Sequence, residues 1–157
     1  DVMYMMTDAG DNSSKAKKSD VERQALARGV RVFVFVLSQF APNLRHRTPD
    51  EAEGVAFLRG LAEKTGGSTL QLIADSGLVY PRFWRTPRER QAVLAAGARM
   101  YEQMASFYRL DVRLPQAVDK PRGWKLEVID ERGKRNKKYE ILYPRLLMPC
   151  NKSPTSP

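Results

Sequence analysis

Two neighbouring residues near the start of the chain carry oxygen-bearing side chains at a position suited to binding chemistry. Thr7 and Asp8 directly follow the apolar run 2–6, VMYMM, which predicts a buried strand. Ligands of open α/β sheets gather outside the carboxyl ends of the strands. A carboxylate at that place can serve a divalent-cation site or a hydrolytic or phosphoryl-transfer enzyme. Asp8 is therefore the candidate metal ligand. The candidate ligand-binding residues around it are Thr7, Gly10, Asp11 and Asn12.

The same segment also has a purely structural interpretation. Asp8 can cap the turn that follows the strand, because a short carboxylate reaches the backbone two residues ahead. Asp11 and Asn12 suit a tight turn in which Gly10 relaxes the backbone. Both interpretations stay open from the sequence.

The residues that would complete a catalytic site are missing from the sequence. The one histidine, His46, lies in a basic stretch with no nearby acid to orient it. The one cysteine, Cys150, lies in a Pro- and Ser-containing tail and excludes an internal disulfide. Gly66 and Gly67 follow Thr65 in the pattern of a helix C-cap rather than of a phosphate-binding loop. We therefore predict no catalytic residues and no enzymatic activity.

These candidates depend on a sheet, which three apolar runs predict. The runs 2–6, 31–37 and 68–74 alternate with two helical segments that have start and stop signals. The first helix is predicted to begin at the capping box Ser19–Glu22 and to end at Gly29. A strand–helix–strand–helix–strand order gives parallel strands. The predicted fold class is α/β, half of a doubly wound parallel sheet.

The two later helices open with Thr-Pro-x-Glu sequences at Thr48 and Thr86. The second helix is predicted to end at Thr65, and the third to run through Phe107. The buried stripe of the second helix is predicted to consist of Val55, Leu58, Leu61 and Ala62.

The pattern changes after the third helix. Residues 108–114 alternate apolar and charged side chains, which predicts a strand with one solvated face. Residues 124–129 and 139–143 are predicted to complete a small antiparallel β-ribbon, with Trp124 packed on the long helix or on the ribbon itself. The Pro, Ser and Asn content indicates fraying from Pro144 onward. The predicted organisation is 1–107 for the α/β part, 108–148 for the ribbon appendage and 149–157 for a flexible tail.

The net charge of +9 is concentrated towards the end of the chain, because residues 109–157 contain 12 basic and 6 acidic residues. The densest basic segment looks like a hairpin tip, either a solvated turn or a phosphate-contacting patch. No apolar run approaches the roughly 18 to 20 residues of a membrane-spanning helix. The basic patch consists of Arg132, Lys134, Arg135, Lys137 and Lys138.

Several segments in order resemble one protein family. Residues 7–14 (TDAGDNSS), 27–38 (ARGVRVFVFVLS) and 58–75 (LRGLAEKTGGSTLQLIAD) are similar to the second half of a von Willebrand factor type A domain, in its bacterial branch. The resemblance covers residues 2–107. YRLDVRLP and GWKLEVIDERGK resemble the β-ribbon that trails the domain in that branch.

The resemblance implies a Rossmann-like sheet in which the strand-end Thr-Asp belongs to a metal ion-dependent adhesion site. On this chain that Asp is Asp8, and the implied cofactor of the intact protein is Mg²⁺ or Mn²⁺. The family's Asp-x-Ser-x-Ser motif does not occur in these 157 residues. We therefore expect the chain to be the C-terminal part of a longer protein and to bind metal weakly by itself. We also expect residues 2–6 to expose an apolar sheet edge.

Three function classes follow, in order of preference. The first is a non-catalytic protein-binding or adhesion module of the von Willebrand factor type A kind, divalent-cation dependent in the intact protein. Its partner would be another protein, and the resemblance implies an exported or cell-envelope location. The second is a basic binder of nucleic acid or of an anionic surface. The third is a metal-assisted hydrolase that uses Asp8.

Overall fold

Three apolar runs of the sequence form one parallel sheet. The computed structural model describes residues 1–10, 14–39, 49–74, 86–139 and 141–149. The strands are β1 (Val2–Thr7), β2 (Arg31–Gln39) and β3 (Thr69–Ala74), in the order β1–β2–β3 with both pairs parallel. The predicted α/β class and parallel sheet are confirmed. The carboxyl ends of the strands therefore share one edge of the sheet, where β1 ends at Thr7.

In the described parts of the chain, three helices accompany the sheet: α1 (Lys18–Ala27), α2 (Pro49–Thr65) and α3 (Pro87–Ala105). The predicted Ser19 cap of α1 is wrong, since the N-cap is Lys17 and makes no side-chain capping bond. The Lys17 carbonyl oxygen accepts backbone N–H bonds from Asp20 and Val21 at 2.9 and 3.2 Å. The helix thus begins just before Ser19, which places that hydroxyl inside the first turn.

Both α1 and α2 end with a glycine in the left-handed conformation, as the sequence predicts. Gly29 has φ +62° and Gly66 has φ +78°. After Gly29, the Val30 N–H donates to the Ala25 carbonyl at 3.0 Å, and after Gly66, the Gly67 N–H donates to the Ala62 carbonyl at 2.9 Å. These are the long bonds of Schellman motifs, which satisfy the last helix carbonyls and turn the chain into the next strand.

The core consists of two apolar clusters on opposite faces of β2. Val32, Val34 and Val36 point to one face, and Phe33 and Phe35 point to the other, because side chains alternate along a strand. The valines pack with the predicted stripe of α2, and Met5 and Ala25 of β1 and α1 border this cluster. The phenylalanines pack with Ala96 and Met100 of α3. The sheet is therefore covered by α1 and α2 on one side and by α3 on the other.

The C-terminal region contains a small antiparallel sheet, but not at the predicted positions. β4 (Arg122–Gly123) pairs with β5 (Leu146–Leu147), and a single bridge joins Ile129 to Arg135. The strand predicted over 108–114 is wrong, since residues 106–114 have no regular secondary structure and Tyr108 is 97% exposed. Alternation alone does not make a strand when no neighbouring strand accepts its backbone hydrogen bonds.

Residues 144–149 are ordered rather than frayed, and the rest of the predicted flexible tail lies outside the described residues. The Arg145 N–H donates to the Lys64 carbonyl of α2 at 3.0 Å, and Trp124 Nε1 donates to the Pro144 carbonyl at 2.6 Å. The Trp124 ring meets the Tyr143 ring edge-on at 5.2 Å. Trp124 therefore packs on the last part of the described chain and holds it against the end of α2.

Candidate functional site

The residues after β1 form a tight turn in which two side chains bond to the backbone ahead of them. Thr7 Oγ1 accepts the N–H of Ala9 at 2.9 Å, and Asp8 Oδ1 accepts the N–H of Gly10 at 3.1 Å. This is the capping role that the structural interpretation gives to Asp8. The Asp8 side chain is exposed to solvent. We call residues 7–10 the strand-end loop.

Ala9 anchors the strand-end loop to α2. It has φ +68°, which non-glycine residues rarely adopt, and it is only 4% exposed within the valine cluster. Its carbonyl oxygen lies so close to Gly54 that an added Cβ at Gly54 would be 1.9 Å from that oxygen. The sequence does not single out Gly54, because Gly60 of the same helix follows the same pattern and an added Cβ there would meet nothing within 4 Å.

The remaining predicted loop residues and two other candidates lie outside the described residues. These are Asp11, Asn12, His46 and Cys150. The structure therefore places Thr7, Asp8 and Gly10 together at the carboxyl edge of the sheet.

A metal centre is not formed by the residues that the structure describes. No group of three or more His, Cys, Asp or Glu side chains among them is placed to hold a metal ion. Mg²⁺ requires about six oxygen ligands, some of which are water. The strand-end loop contributes one carboxylate, and one of its oxygens already accepts the Gly10 N–H. These residues do not fit a divalent cation by themselves.

The exposed edge of the sheet next to the loop is apolar, as expected from the sequence. β1 is an edge strand of the described sheet. Its exposed apolar side chains are Val2, Met3, Tyr4 and Met6.

The predicted hairpin tip exists and is held by Asp130. Asp130 Oδ1 accepts the N–H groups of Arg132 and Lys134 at 2.9 and 2.8 Å, and the Asp130 N–H donates to the Lys134 carbonyl. Gly133 takes the left-handed conformation that closes the turn, with φ +74°. The five cationic side chains of the basic patch are all exposed: Arg132, Lys134, Arg135, Lys137 and Lys138.

One member of the basic patch is neutralised locally. Arg135 Nε lies 3.3 Å from Glu127 Oε1, and Lys125 Nζ lies 2.8 Å from the same oxygen. The hydrogen bond from Lys125 lowers the pKa of the Glu127 carboxyl, the charges of Lys125 and Arg135 lower it further, and desolvation opposes them. Within the described ranges, the other four cations form no ion pair.

The strand-end loop and the basic patch belong to different parts of the molecule. The loop lies at the carboxyl edge of the sheet, after β1. The segment that carries the patch is tied through Trp124 and Arg145 to Lys64, at the end of α2 that precedes β3. The structure therefore gives two separate candidate surfaces.

The fold defines an α/β protein with a three-stranded parallel sheet and a small antiparallel sheet. Comparisons with protein-family models, with curated proteins and with solved structures found no match. The resemblance to a von Willebrand factor type A domain therefore stays a prediction. No helix among the described residues is both long enough and apolar enough to span a membrane.

Proposed function

We propose that this chain is part of a non-catalytic protein-binding module of the von Willebrand factor type A kind, and that its strand-end loop contacts the partner protein. The single observation that carries the proposal is the exposed Asp8 carboxylate on a backbone held by two side-chain hydrogen bonds. The order of the sequence segments described above supports the family. An exported or cell-envelope location is part of the same proposal.

The strand-end loop is suited to recognition because little of it must be ordered on binding. Ala9 is buried, and its carbonyl is fixed against Gly54 of α2. A preorganised loop avoids part of the entropy cost that association imposes on flexible segments. The backbone at Asp8 is therefore fixed before binding, and its carboxylate can accept a hydrogen bond from a donor group of the partner protein.

The proposed contact does not depend on a cation held by this chain alone. The described residues supply one carboxylate at the loop, so we expect weak binding of Mg²⁺ or Mn²⁺ by the isolated chain. Cation dependence is proposed only for the intact protein, where further ligands would be required.

A peptide-display experiment tests the loop as a binding site. Because the partner is unidentified, a random peptide library is selected on the wild-type chain, and the enriched peptides are measured against Asp8→Asn. This variant keeps an oxygen that can accept the Gly10 N–H but removes the charge. The matched control is Asp119→Asn, which removes an exposed carboxylate elsewhere. We expect the affinity for the enriched peptides to fall roughly tenfold or more in Asp8→Asn and to stay unchanged in Asp119→Asn. Equal binding of the peptides to the wild-type chain and to both variants would show that the strand-end loop is not the binding site.

A second function is favoured by one observation: four exposed cations of the basic patch form no ion pair with any residue that the structure describes. A phosphate-contacting surface loses affinity steeply with salt, because bound counterions are released. Neutralising Lys134, Lys137 and Lys138 should then reduce both affinity for a nucleic-acid duplex and its salt slope. Binding that is unaffected by salt would remove this alternative.

A further inference from the structure

A concave site lies at the edge of the sheet opposite the strand-end loop. We call it the amino-edge cleft, since it opens where α2 ends and β3 begins. The cleft is open to solvent and has a volume of about 300 Å³. Its lining consists of Arg59 and Glu63 of α2, residues 67–69, and Ile141, Leu142, Tyr143 and Arg145.

The outer wall of the amino-edge cleft is held firmly in place. Tyr143 is 6% exposed, and an added Cβ at Gly66 would lie 2.5 Å from the Tyr143 carbonyl carbon and from the Pro144 nitrogen. The Arg145 N–H bond to the Lys64 carbonyl and the Trp124 bond to the Pro144 carbonyl fix the same segment. The outer wall of the cleft is therefore preformed, as is common for small-molecule sites.

The Arg145 side chain is oriented by Tyr143, and the charged groups of the cleft are not neutralised by ion pairs among the described residues. The Arg145 guanidinium donates to the Tyr143 hydroxyl and stacks on its ring, with the guanidinium carbon 4.3 Å from the ring centroid. Within the described ranges, none of Arg59, Glu63 and Arg145 forms an ion pair. The hydroxyl of Thr69, which is another lining residue, is buried and has no hydrogen-bond partner in the described structure.

Two guanidinium groups, one carboxylate and an apolar wall define the complementary ligand. Guanidinium groups bind carboxylates through paired N–H bonds, and a carboxylate such as Glu63 binds an ammonium group. Ile141 and Leu142 can cover a short apolar side chain. A multiply charged anion such as phosphate fits less well, because it would face the Glu63 carboxylate.

We propose that the amino-edge cleft binds a small zwitterion of the free α-amino acid class with an apolar side chain. The carboxylate of the ligand lies on Arg59 and Arg145, its ammonium group on Glu63, and its side chain against Ile141 and Leu142. The volume of the cleft is at the lower end of the range found for ligand sites, which matches a ligand of this size. This site is independent of the protein contact proposed for the strand-end loop.

A ligand series tests the proposal on the chain as it exists. The probes are free leucine, 4-methylpentanoate, which lacks the amine, and 3-methylbutylamine, which lacks the carboxylate, together with inorganic phosphate. Backbone amide NMR shifts of Gly67, Ser68 and Thr69 report binding. We expect free leucine to move these signals at the lowest concentration and the amine not to move them. No shift with free leucine, or stronger binding of the amine or of phosphate, would overturn the proposal.

Two variants separate binding from folding. Arg59 and Glu63 are exposed on α2, so Arg59→Gln and Glu63→Gln should fold normally. Each should weaken the binding of free leucine roughly tenfold, whereas Glu63→Gln should not weaken the binding of 4-methylpentanoate, because that ligand has no ammonium group and its carboxylate is repelled by Glu63. The control is Arg109→Gln, which removes an exposed arginine paired with Asp111 outside the cleft. Unchanged binding of free leucine to both cleft variants would refute the assignment.

Discussion

Gly54 of α2 and the carbonyl oxygen of Ala9 are packed so closely that the smallest side chain would not fit between them. A Cβ at Gly54 would lie 1.9 Å from that oxygen and 3.1 Å from the Ala9 carbonyl carbon. Because Ala9 is the buried member of the strand-end loop, this contact sets the position of Asp8 relative to the helix layer. The candidate site thus depends on a residue that carries no side chain.

Gly54→Ala should both destabilise the protein and displace the strand-end loop. The added methyl group would meet backbone atoms of Ala9, which cannot move aside as the end of a flexible side chain could. We therefore expect the free energy of unfolding to fall by about 1–3 kcal/mol. Chemical denaturation measures it. The control is Gly60→Ala in the same helix, where an added Cβ meets nothing within 4 Å. That change should stabilise by up to about 1 kcal/mol. Similar effects of the two substitutions would contradict the contact.

Thr65→Val should destabilise the junction between α2 and β2. Thr65 is 3% exposed, and its hydroxyl accepts the Val32 N–H at 3.1 Å while lying 2.8 Å from the Leu61 carbonyl. Valine has nearly the same shape but leaves the Val32 N–H unsatisfied, which costs about 1–3 kcal/mol. Thr65→Ser keeps the hydroxyl, so its free energy of unfolding should fall clearly less than that of Thr65→Val. Equal losses would show that the methyl group contributes as much stability as the hydroxyl, and a larger loss for Thr65→Ser than for Thr65→Val would contradict the prediction.

Trp124→Ala should loosen the C-terminal segment before the parallel sheet. Trp124 is half-buried, and it holds Pro144 by a hydrogen bond and Tyr143 by ring contact. We expect faster amide hydrogen exchange at residues 145–147 and little change in β2, because neither core cluster contains Trp124.

Trp124→Phe is the matched variant, since it keeps an aromatic ring but loses the donor. It should cost about 1 kcal/mol, the usual net value of one hydrogen bond. Exchange that rises equally in β2 and in the C-terminal segment would show that the two parts open as one unit.

The ion pairs at Glu127 should give the hairpin tip an acid-sensitive component. Lys125 donates to this carboxylate and lowers its pKa, with Arg135 adding to the effect. A carboxyl whose pKa is lower in the folded state stabilises that state above the unfolded pKa. That contribution disappears as the pH falls through the folded-state pKa.

NMR titration of the Glu127 carboxyl carbon measures this pKa directly. Lys125→Gln should raise it towards the ordinary value, since the largest lowering contribution is removed. Lys120→Gln, which removes an exposed lysine that forms no ion pair within the described ranges, serves as the control. A Glu127 pKa that responds equally to both changes would indicate a general charge effect instead.

The regular elements were predictable because each is specified by residues close in sequence. Three apolar runs gave the strands, and Gly29 and Gly66 mark the helix ends because both adopt a positive φ. The stripe from Val55 to Ala62 was predicted in full, since helical spacing alone decides which side of α2 is apolar.

The sequence predictions were wrong where contacts with distant parts of the chain determine the local structure. Residues 108–114 alternate like a strand, yet no described strand pairs with them. Pro144 and Arg145, in contrast, follow no pattern and are ordered by Trp124 and by the end of α2. In the candidate site, Asp8 and Thr7 were predictable from their place after an apolar run. The Gly54 contact requires knowledge of how α2 crosses the loop.

β2 couples the unfolding of the two helical layers that cover the sheet. Its two rows of side chains face different helical layers, with Val34 on one side and Phe33 on the other, both fully buried. If either layer detaches, one row of this strand meets water while the other row stays packed. Such a half-open state keeps the entropy cost of ordering the strand but loses the burial of one of its two rows. The two layers should therefore unfold together rather than as independent units.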